Sequence, residues 1–279
     1  MKKIIKYFSL ILVFLISIYF TNNSINTYKD EDSIMKKIKN NKNFLIEPVN
    51  AIIKDNTIIP GIEGKDIDYD KSYSQMKKYG SYNESLIRLK KISPTTSMSN
   101  YYDLYIEGGN PSKRMVSLVF IIEKSFPSEI MTILNNKNIQ ATFFIDGTLL
   151  ENNVKNIKEN DYEYELLSYD SKYNSAFMKT SISYLENITK EKVKYCYTPL
   201  ENDELLKFCI KNKLHTIKPK YIWSNNIYHN IKKYLDKASI YVIEDNSYNR
   251  KELPVVIDYI YSKGYEIVTL NRLLSEELE

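Results

Sequence analysis

The chain has 279 residues, of which 43% are hydrophobic and 27% charged, a composition typical of folded globular proteins. Its formal net charge is +4, but three lysines before residue 22 supply +3 of it, so the rest is close to neutral. That balance argues against a nucleic-acid-binding protein. Because the chain has only two histidines, it cannot form a site that needs three histidines. Because it has only two cysteines, it cannot form a Cys₄ zinc site.

Residues 1–21 have the pattern of a membrane-targeting segment. Lysines precede an apolar stretch over residues 4–20, which as a helix would rise about 25 Å, slightly less than a hydrocarbon core of ~30 Å. Residues 21–26 contain no small-x-small cleavage site. We therefore expect a single-pass anchor in the cell membrane, contacting it through residues 4–20, with the bulk of the chain extracytoplasmic. The alternative is a protein secreted after signal cleavage.

Two segments are expected to join this anchor to the main domain. Residues 22–44 are rich in Asn, Lys and Asp, and we expect a helical or loose linker. Residues 45–112 hold five of the seven glycines and predict a small α+β segment. Within it we expect strands near 57–59, 86–89 and 101–106 and a short helix over 72–79.

From residue 113 to residue 279, short apolar runs alternate with amphipathic segments. The runs cover 116–122, 141–145, 162–167, 193–197, 214–217, 240–243 and 266–270. Helices are expected at 128–136, 148–158, 175–186, 202–212, 226–236 and 250–263. Alternating strands and helices imply parallel pairing through right-handed crossovers. We therefore predict an α/β domain, either an incomplete or distorted (β/α) barrel or, as the alternative, an open doubly wound sheet.

Residues 114–275 resemble the polysaccharide deacetylase family of carbohydrate esterases. The second strand of that family reads Ala-Thr-Phe-Phe-x-x-Gly, and residues 141–147 read Ala-Thr-Phe-Phe-Ile-Asp-Gly. The strand expected at 239–243 and the closing segment at 263–270 are similar to the end of the family's domain. The resemblance implies a distorted (β/α)₇ barrel of polysaccharide deacetylase type, preceded here by the membrane anchor and the small α+β segment.

The sequence lacks the catalytic motifs of that family. Its first strand supplies two carboxylates, a general base and a metal ligand, and Ile121 and Ile122 stand at those positions. Its two metal-binding histidines, four residues apart, would fall at Leu167 and Ser171. Because isoleucine and leucine offer no donor atom, we expect no metal, no cofactor and no catalytic residue of the family type.

Carboxylates nevertheless gather after the predicted strands, at the end where barrel enzymes build their sites. The ligand-binding candidates are Glu123, Asp146, Asp170, Glu201, Glu244 and Asp245. The last two stand where the resemblance implies a late catalytic histidine. The family's Arg-Pro-Pro-Tyr motif reads Tyr-Thr-Pro-Leu at 197–200. A carboxylate pair about 5–9 Å apart would support glycoside hydrolysis.

The histidines and cysteines are interpreted as structural. His215 and His229 lie outside the motif positions, and a lone histidine is more often structural or solvated than a ligand. Cys196 is expected on a strand and Cys209 in the following helix, as two buried small apolar residues. A disulfide between them is the alternative, and it requires favourable geometry.

The sequence thus predicts a membrane-anchored, deacetylase-like protein without deacetylase activity. It would bind or scaffold at the cell envelope, with a cell-wall glycan or an envelope protein as partner and no nucleic acid. One alternative is a carbohydrate-active hydrolase, deacetylase or glycosidase, that uses non-standard carboxylates. Another is a structural envelope protein in which residues 45–112 are the interaction module.

Overall fold

The computed structural model describes residues 11–19, 27–167 and 174–278, which form two compact units. The smaller unit takes in the described part of Met1–Pro48 together with Glu63–Ser93, and the larger unit takes in Val49–Ile62 and Pro94–Glu279. The predicted segment 45–112 is therefore divided, because its two ends belong mainly to the larger unit and its middle to the smaller one.

The bounds of the elements are as follows. In chain order the strands are β1 (Ile52–Lys54), β2 (Thr57–Ile59), β3 (Gly64–Ile67), β4 (Leu89–Ile92), β5 (Tyr105–Ile106), β6 (Met115–Ile122), β7 (Thr142–Ile145), β8 (Glu163–Leu167), β9 (Tyr195–Tyr197), β10 (His215–Ile217), β11 (Tyr221–Trp223), β12 (Ser239–Ile243) and β13 (Glu266–Ile267). The α-helices are α1 (Ser33–Asn40), α2 (Tyr69–Tyr79), α3 (Ser128–Lys137), α4 (Val154–Glu159), α5 (Ser175–Thr189), α6 (Asp203–Asn212), α7 (Ile227–Tyr234), α8 (Ser247–Ser262) and α9 (Leu270–Leu274).

The predicted membrane anchor lies outside the described residues except at positions 11–19, which are helical and exposed. None of the helices in the described ranges is both long enough and apolar enough to cross a membrane. The anchor over residues 1–21 therefore stays a prediction.

The smaller unit packs α1 and α2 around a small apolar cluster beside the antiparallel pair β3–β4. The Asp32 carboxylate caps α1 by accepting a hydrogen bond from the backbone N–H of Ile34 at 2.8 Å. Ile34 and Ile38 share one face of α1, four residues apart, and pack with Ile67 and Met76. The predicted linker 22–44 thus contains a helix that belongs to a folded unit.

The strands of the larger unit form one sheet. Over the described residues it has 11 strands in the order β1-β2-β5-β10-β9-β8-β7-β6-β12-β11, and β13 also pairs with β6. The five pairs from β10 to β12 along this order are all parallel. In the described part of the chain β10 pairs with β5 rather than with β11, so the sheet curls as an open half-barrel.

Each of the seven predicted apolar runs contains a strand, whereas β11 was not predicted. The three residues of β11 are too few to produce a periodic pattern. The predicted helix 148–158 is instead two 3₁₀ turns, Gly147–Leu149 and Glu151–Asn153, followed by α4. The Asn153 side-chain amide donates to the Leu149 carbonyl at 2.8 Å, and such local bonds compete with a regular helix.

The sheet separates two apolar cores. Phe120, Ile122 and Phe143 pack with the helices on the convex side. Val119 and Phe144 pack with Tyr197 and other strand residues on the concave side. Side chains alternate between these two cores along each strand, which explains why β6 is almost continuously apolar.

A disulfide joins Cys196 of β9 to Cys209 of α6. The expectation of two separate buried cysteines is wrong, and the alternative is correct. The fold brings the two Cα atoms to 6.5 Å, within the range that a disulfide can bridge. Both residues are buried in the convex core.

Candidate functional site

A cavity of about 450 Å³ lies at the carboxyl ends of β6, β9, β11 and β12, and we name it the carboxyl-end cavity. Its lining residues are Ile121, Glu123, Lys124, Ser125, Tyr197, Pro199, Ile222, Val242, Glu244, Asp245 and Arg250. The most buried members, Tyr197 and Val242, belong to the concave core, whereas the acidic members Glu123 and Glu244 are exposed. The cavity therefore combines an apolar interior with charged groups open to solvent.

Two of the predicted acids, Glu123 and Glu244, line this cavity. In the part of the chain that the structure describes, neither side chain forms an ion pair or a hydrogen bond. Tyr197 lines the same cavity. Burial raises the pKa of its phenol, and the negative charges of the two carboxylates raise it further. The cavity thus holds two uncommitted carboxylates close to one buried tyrosine.

Asp245 also lines the cavity, but its carboxylate is already paired. It accepts hydrogen bonds from Arg250 Nε at 2.5 Å and from Arg250 Nη2 at 3.1 Å. Arg250 also donates to Glu129 at 2.7 Å. Because a bidentate pair holds both oxygens of Asp245, this residue fixes the start of α8 beside β12 and is not free for a ligand.

Of the other three predicted acids, Asp146 and Glu201 do not line the cavity, and the third lies outside the described residues. Asp146 accepts from the backbone N–H of Thr148 at 2.7 Å, so it caps the turn after β7. Glu201 accepts from Asn56 Nδ2 at 2.8 Å and pairs with Lys218 at 3.0 Å, and these contacts lower its pKa. Asp170 lies outside the described residues. Asp146 and Glu201 thus have partners of their own away from this cavity, and ligand binding by them stays a prediction.

The chain matches no family model. Its fold is similar to the crystal structure of BA3943 from Bacillus anthracis, a CE4 family pseudoenzyme, with a TM-score of 0.66 and 22% identity over 89% of this chain and 97% of that chain. A mutant of BA3943 is described as having restored enzymatic activity. The fold is also similar to the Bc1960 peptidoglycan N-acetylglucosamine deacetylase, with a TM-score of 0.53 and 19% identity over 62% of this chain and 95% of that one. This is the polysaccharide deacetylase fold.

The resemblance inferred from the sequence is thereby confirmed for the fold. A relative of known sequence, the uncharacterised protein YlxY of Bacillus subtilis, is 30% identical over 135 residues, which are 46% of this chain. The chain spans 42% of the length of that relative.

The residues at the metal-binding positions of the deacetylase fold do not fit a metal here. Ile121 lines the cavity, Ile122 packs in the convex core at 1% exposure, and Leu167 packs in the concave core. None of these side chains can donate an electron pair to a cation. Ser171 lies outside the described residues. Over residues 11–19, 27–167 and 174–278, no group of three or more His, Cys, Asp or Glu side chains could hold a metal ion.

Several residues that line the carboxyl-end cavity were not predicted as site residues, and Ile222, Tyr197 and Arg250 are among them. Ile222 is on β11, which was not predicted, so no signal pointed to it. Tyr197 stands where the family motif has arginine, and a buried tyrosine at that position was a usable signal. Arg250 follows Asp245 by five residues across a helix start, and such a pair becomes visible only once the start of α8 is known.

Proposed function

We propose that this chain is a polysaccharide deacetylase-fold protein without deacetylase activity, which binds a glycan in the carboxyl-end cavity. The observation that carries the proposal is Ile121, an apolar side chain lining the cavity where the family resemblance implies a carboxylate. The rest of the lining suits a sugar, because aromatic rings stack on the apolar faces of sugars and free carboxylates accept hydrogen bonds from hydroxyls. Tyr197, Glu123 and Glu244 provide these groups.

The proteins with a similar fold support a glycan as the ligand. One neighbour is described as a pseudoenzyme, and another as a deacetylase of the N-acetylglucosamine units of peptidoglycan. The same fold therefore occurs both with activity on a cell-wall glycan and without activity. We propose that the present chain has the fold without the activity and binds the glycan as a partner.

We further propose that the protein works outside the cytoplasm at the cell envelope, anchored through residues 4–20. The disulfide between Cys196 and Cys209 supports this location, since disulfides persist in oxidising compartments and are rare in the cytosol. Protease treatment of intact cells is expected to digest the chain beyond the anchor while a cytoplasmic marker survives. A full-length chain protected from protease in intact cells would contradict this location.

The glycan proposal is tested by titrating the full chain with soluble peptidoglycan fragments in a calorimeter. Saturable binding is expected, and the double variant Glu123→Gln/Glu244→Gln is expected to weaken it about tenfold or more, because two charge-assisted hydrogen bonds are lost. Glu201→Gln is the matched control, since it removes one carboxylate that is paired elsewhere. Equal affinity of the double variant and the wild type would refute the proposal.

A hydrolase with relocated carboxylates is the second candidate. It is favoured by one observation, namely that Glu123 and Glu244 line the same cavity without partners among the described residues. A general acid and a second carboxylate could then cleave a glycosidic bond. This candidate predicts measurable glycan turnover that either Glu123→Gln or Glu244→Gln abolishes. Turnover that persists in both variants would eliminate it.

A further inference from the structure

The outward face of α7 is strongly basic. Residues 205–235 contain seven lysines and no aspartate or glutamate, although the net charge of the whole chain is only +4. α7 lies within this stretch, and its two isoleucines are fully buried, whereas His229, Lys232 and Lys233 are exposed. The side chains that the helix presents to solvent therefore carry positive charge and no negative charge.

Two pairs of tyrosines arrange four lysines around this helix. Tyr228 of α7 meets Tyr259 of α8 edge to face, with ring centroids 5.9 Å apart. Tyr234 of α7 lies 5.7 Å from Tyr221 of β11. The ammonium group of one lysine lies over each ring, between 4.9 and 5.4 Å from its centroid: Lys232 over Tyr228, Lys263 over Tyr259, Lys233 over Tyr234 and Lys220 over Tyr221. Cation–π attraction favours these positions, and we name the four lysines the α7 lysine group.

The α7 lysine group is not neutralised by neighbouring acids within the described ranges. Its members form no ion pair there. On α8, Glu252 accepts a hydrogen bond from a backbone N–H of α7 at 3.0 Å, and Asp258 pairs with a lysine of α3 at 2.6 Å. Asp236, which follows α7, accepts from the backbone N–H of Lys237 at 2.7 Å. Like charges held on one face repel one another, and an anionic ligand would relieve that repulsion.

A depression of about 360 Å³ lies on the same face, lined by Tyr228, His229, Lys232 and Lys233. Two ammonium groups, each with three donors, and one imidazole therefore line a single space. The described residues that line it include no arginine, whose planar fork matches a carboxylate in two parallel hydrogen bonds. Because lysine binds phosphate as a point charge, this lining favours a phosphate group over a carboxylate.

We propose that the α7 lysine group binds a linear phosphodiester polymer. One phosphate lies in the depression beside Lys232 and Lys233, and successive phosphates of the same chain reach Lys220 on the β11 side of α7 and Lys263 on the α8 side. A single phosphate could not contact lysines on both sides of the helix. At the proposed extracytoplasmic location, such a polymer belongs to the cell envelope.

Two other polyanions are disfavoured by the same face. A helix that binds a bilayer surface buries its apolar side in lipid, and the isoleucines of α7 are already buried in the protein. Single-stranded nucleic acid stacks its bases on open aromatic rings, and each of the four tyrosine rings here has a lysine ammonium group over one face. A chain of phosphates without bases or acyl chains therefore suits this face best.

Calorimetric titration of the full chain with poly(glycerol phosphate) tests this proposal. We expect saturable binding that weakens as the salt concentration rises, because the attraction is between exposed charges. The double variant Lys232→Gln/Lys233→Gln is expected to weaken binding about tenfold or more. Lys207→Gln/Lys211→Gln is the matched control, since it removes two exposed lysines of α6, and it is expected to leave the affinity unchanged.

The lysines on either side of α7 test whether several phosphates are engaged. Lys220→Gln/Lys263→Gln is expected to weaken polymer binding about 3–10-fold and to leave the much weaker binding of glycerol phosphate itself unchanged. Absence of saturable polymer binding would overturn the proposal. So would full affinity in either double variant of the α7 lysine group, or an equal loss of affinity in the α6 control. Tighter binding of phosphatidylglycerol vesicles, polygalacturonate or single-stranded DNA at equal charge concentration would also contradict it.

Discussion

Ile121 and Ile122 are neighbours in the chain but face opposite sides of β6. Ile121 lines the carboxyl-end cavity, and Ile122 packs among the helices of the convex core at 1% exposure. A carboxylate in place of Ile121 would therefore face the cavity, whereas one in place of Ile122 would face an apolar core. At the two positions where the family resemblance implies carboxylates, one isoleucine thus lines the cavity and the other packs in the core.

The variant Ile122→Asp is expected to destabilise the protein by about 3–5 kcal/mol, because it leaves a buried carboxylate without a partner. Ile121→Asp is the matched variant and should cost clearly less, since that position is partly exposed at the cavity. Urea unfolding of both proteins measures the difference. Equal destabilisation by the two substitutions would contradict the assignment of Ile122 to the convex core.

His215 makes the stability of the larger unit depend on pH. The ring is 8% exposed and stacks on Tyr102 with ring centroids 4.4 Å apart. Burial lowers its pKa from 6.5 to about 4, so the folded protein keeps the ring neutral. The unfolded chain takes up a proton near pH 6.5 that the folded chain does not, and stability therefore falls from pH 6.5 towards pH 4.

The variant His215→Phe is expected to remove about 3 kcal/mol of this pH-dependent loss of stability, while it keeps an aromatic ring against Tyr102. The measurement is the free energy of unfolding of wild type and variant between pH 7 and pH 4. His229→Phe, at an exposed position of α7, is the control and should keep the wild-type profile. A His215→Phe profile parallel to that of the wild type would show that His215 is not a buried neutral histidine.

At the scale of elements, the positions of strands could be predicted from the local sequence pattern, whereas the pairing of distant strands could not. The runs 116–122 and 141–145 were recognisable because buried parallel strands are almost continuously apolar. Strands at 57–59 and 101–106 were also predicted, but not the pairing of β2 and β5 with each other and of β5 with β10. That pairing depends on contacts more than 100 residues apart for β5 and β10, which no local pattern encodes.

The disulfide links strand β9 to helix α6, which follows it in the chain. Cys196 of β9 and Cys209 of α6 are 13 residues apart, and closing a loop of that length in the unfolded chain stabilises the fold by about 3 kcal/mol. The double variant Cys196→Ala/Cys209→Ala is expected to lose about that amount in urea unfolding. Wild type unfolded in a reducing buffer should lose a similar amount. Unchanged stability under reduction would contradict the disulfide.

At the scale of the whole molecule, the five predicted acids that the structure describes differ in the residues that surround them. Proximity to the strand ends was predictable, because parallel strands present their carboxyl ends together. The partners of each acid were not, since Arg250 neutralises Asp245 and Lys218 pairs with Glu201 only in the folded chain. The remaining pair, Glu123 and Glu244, lines the cavity with Tyr197 and Ile121, and the proposal of a bound glycan rests on these residues.

The central claim is that a deacetylase fold is kept here without deacetylase chemistry. The most direct test is to purify the full chain in the presence of zinc, measure the bound metal by mass spectrometry, and assay acetate release from N-acetylated peptidoglycan oligosaccharides. We predict far less than one zinc per chain and no acetate release, while an active deacetylase of the same fold serves as the positive control. Stoichiometric zinc together with acetate release would contradict the claim.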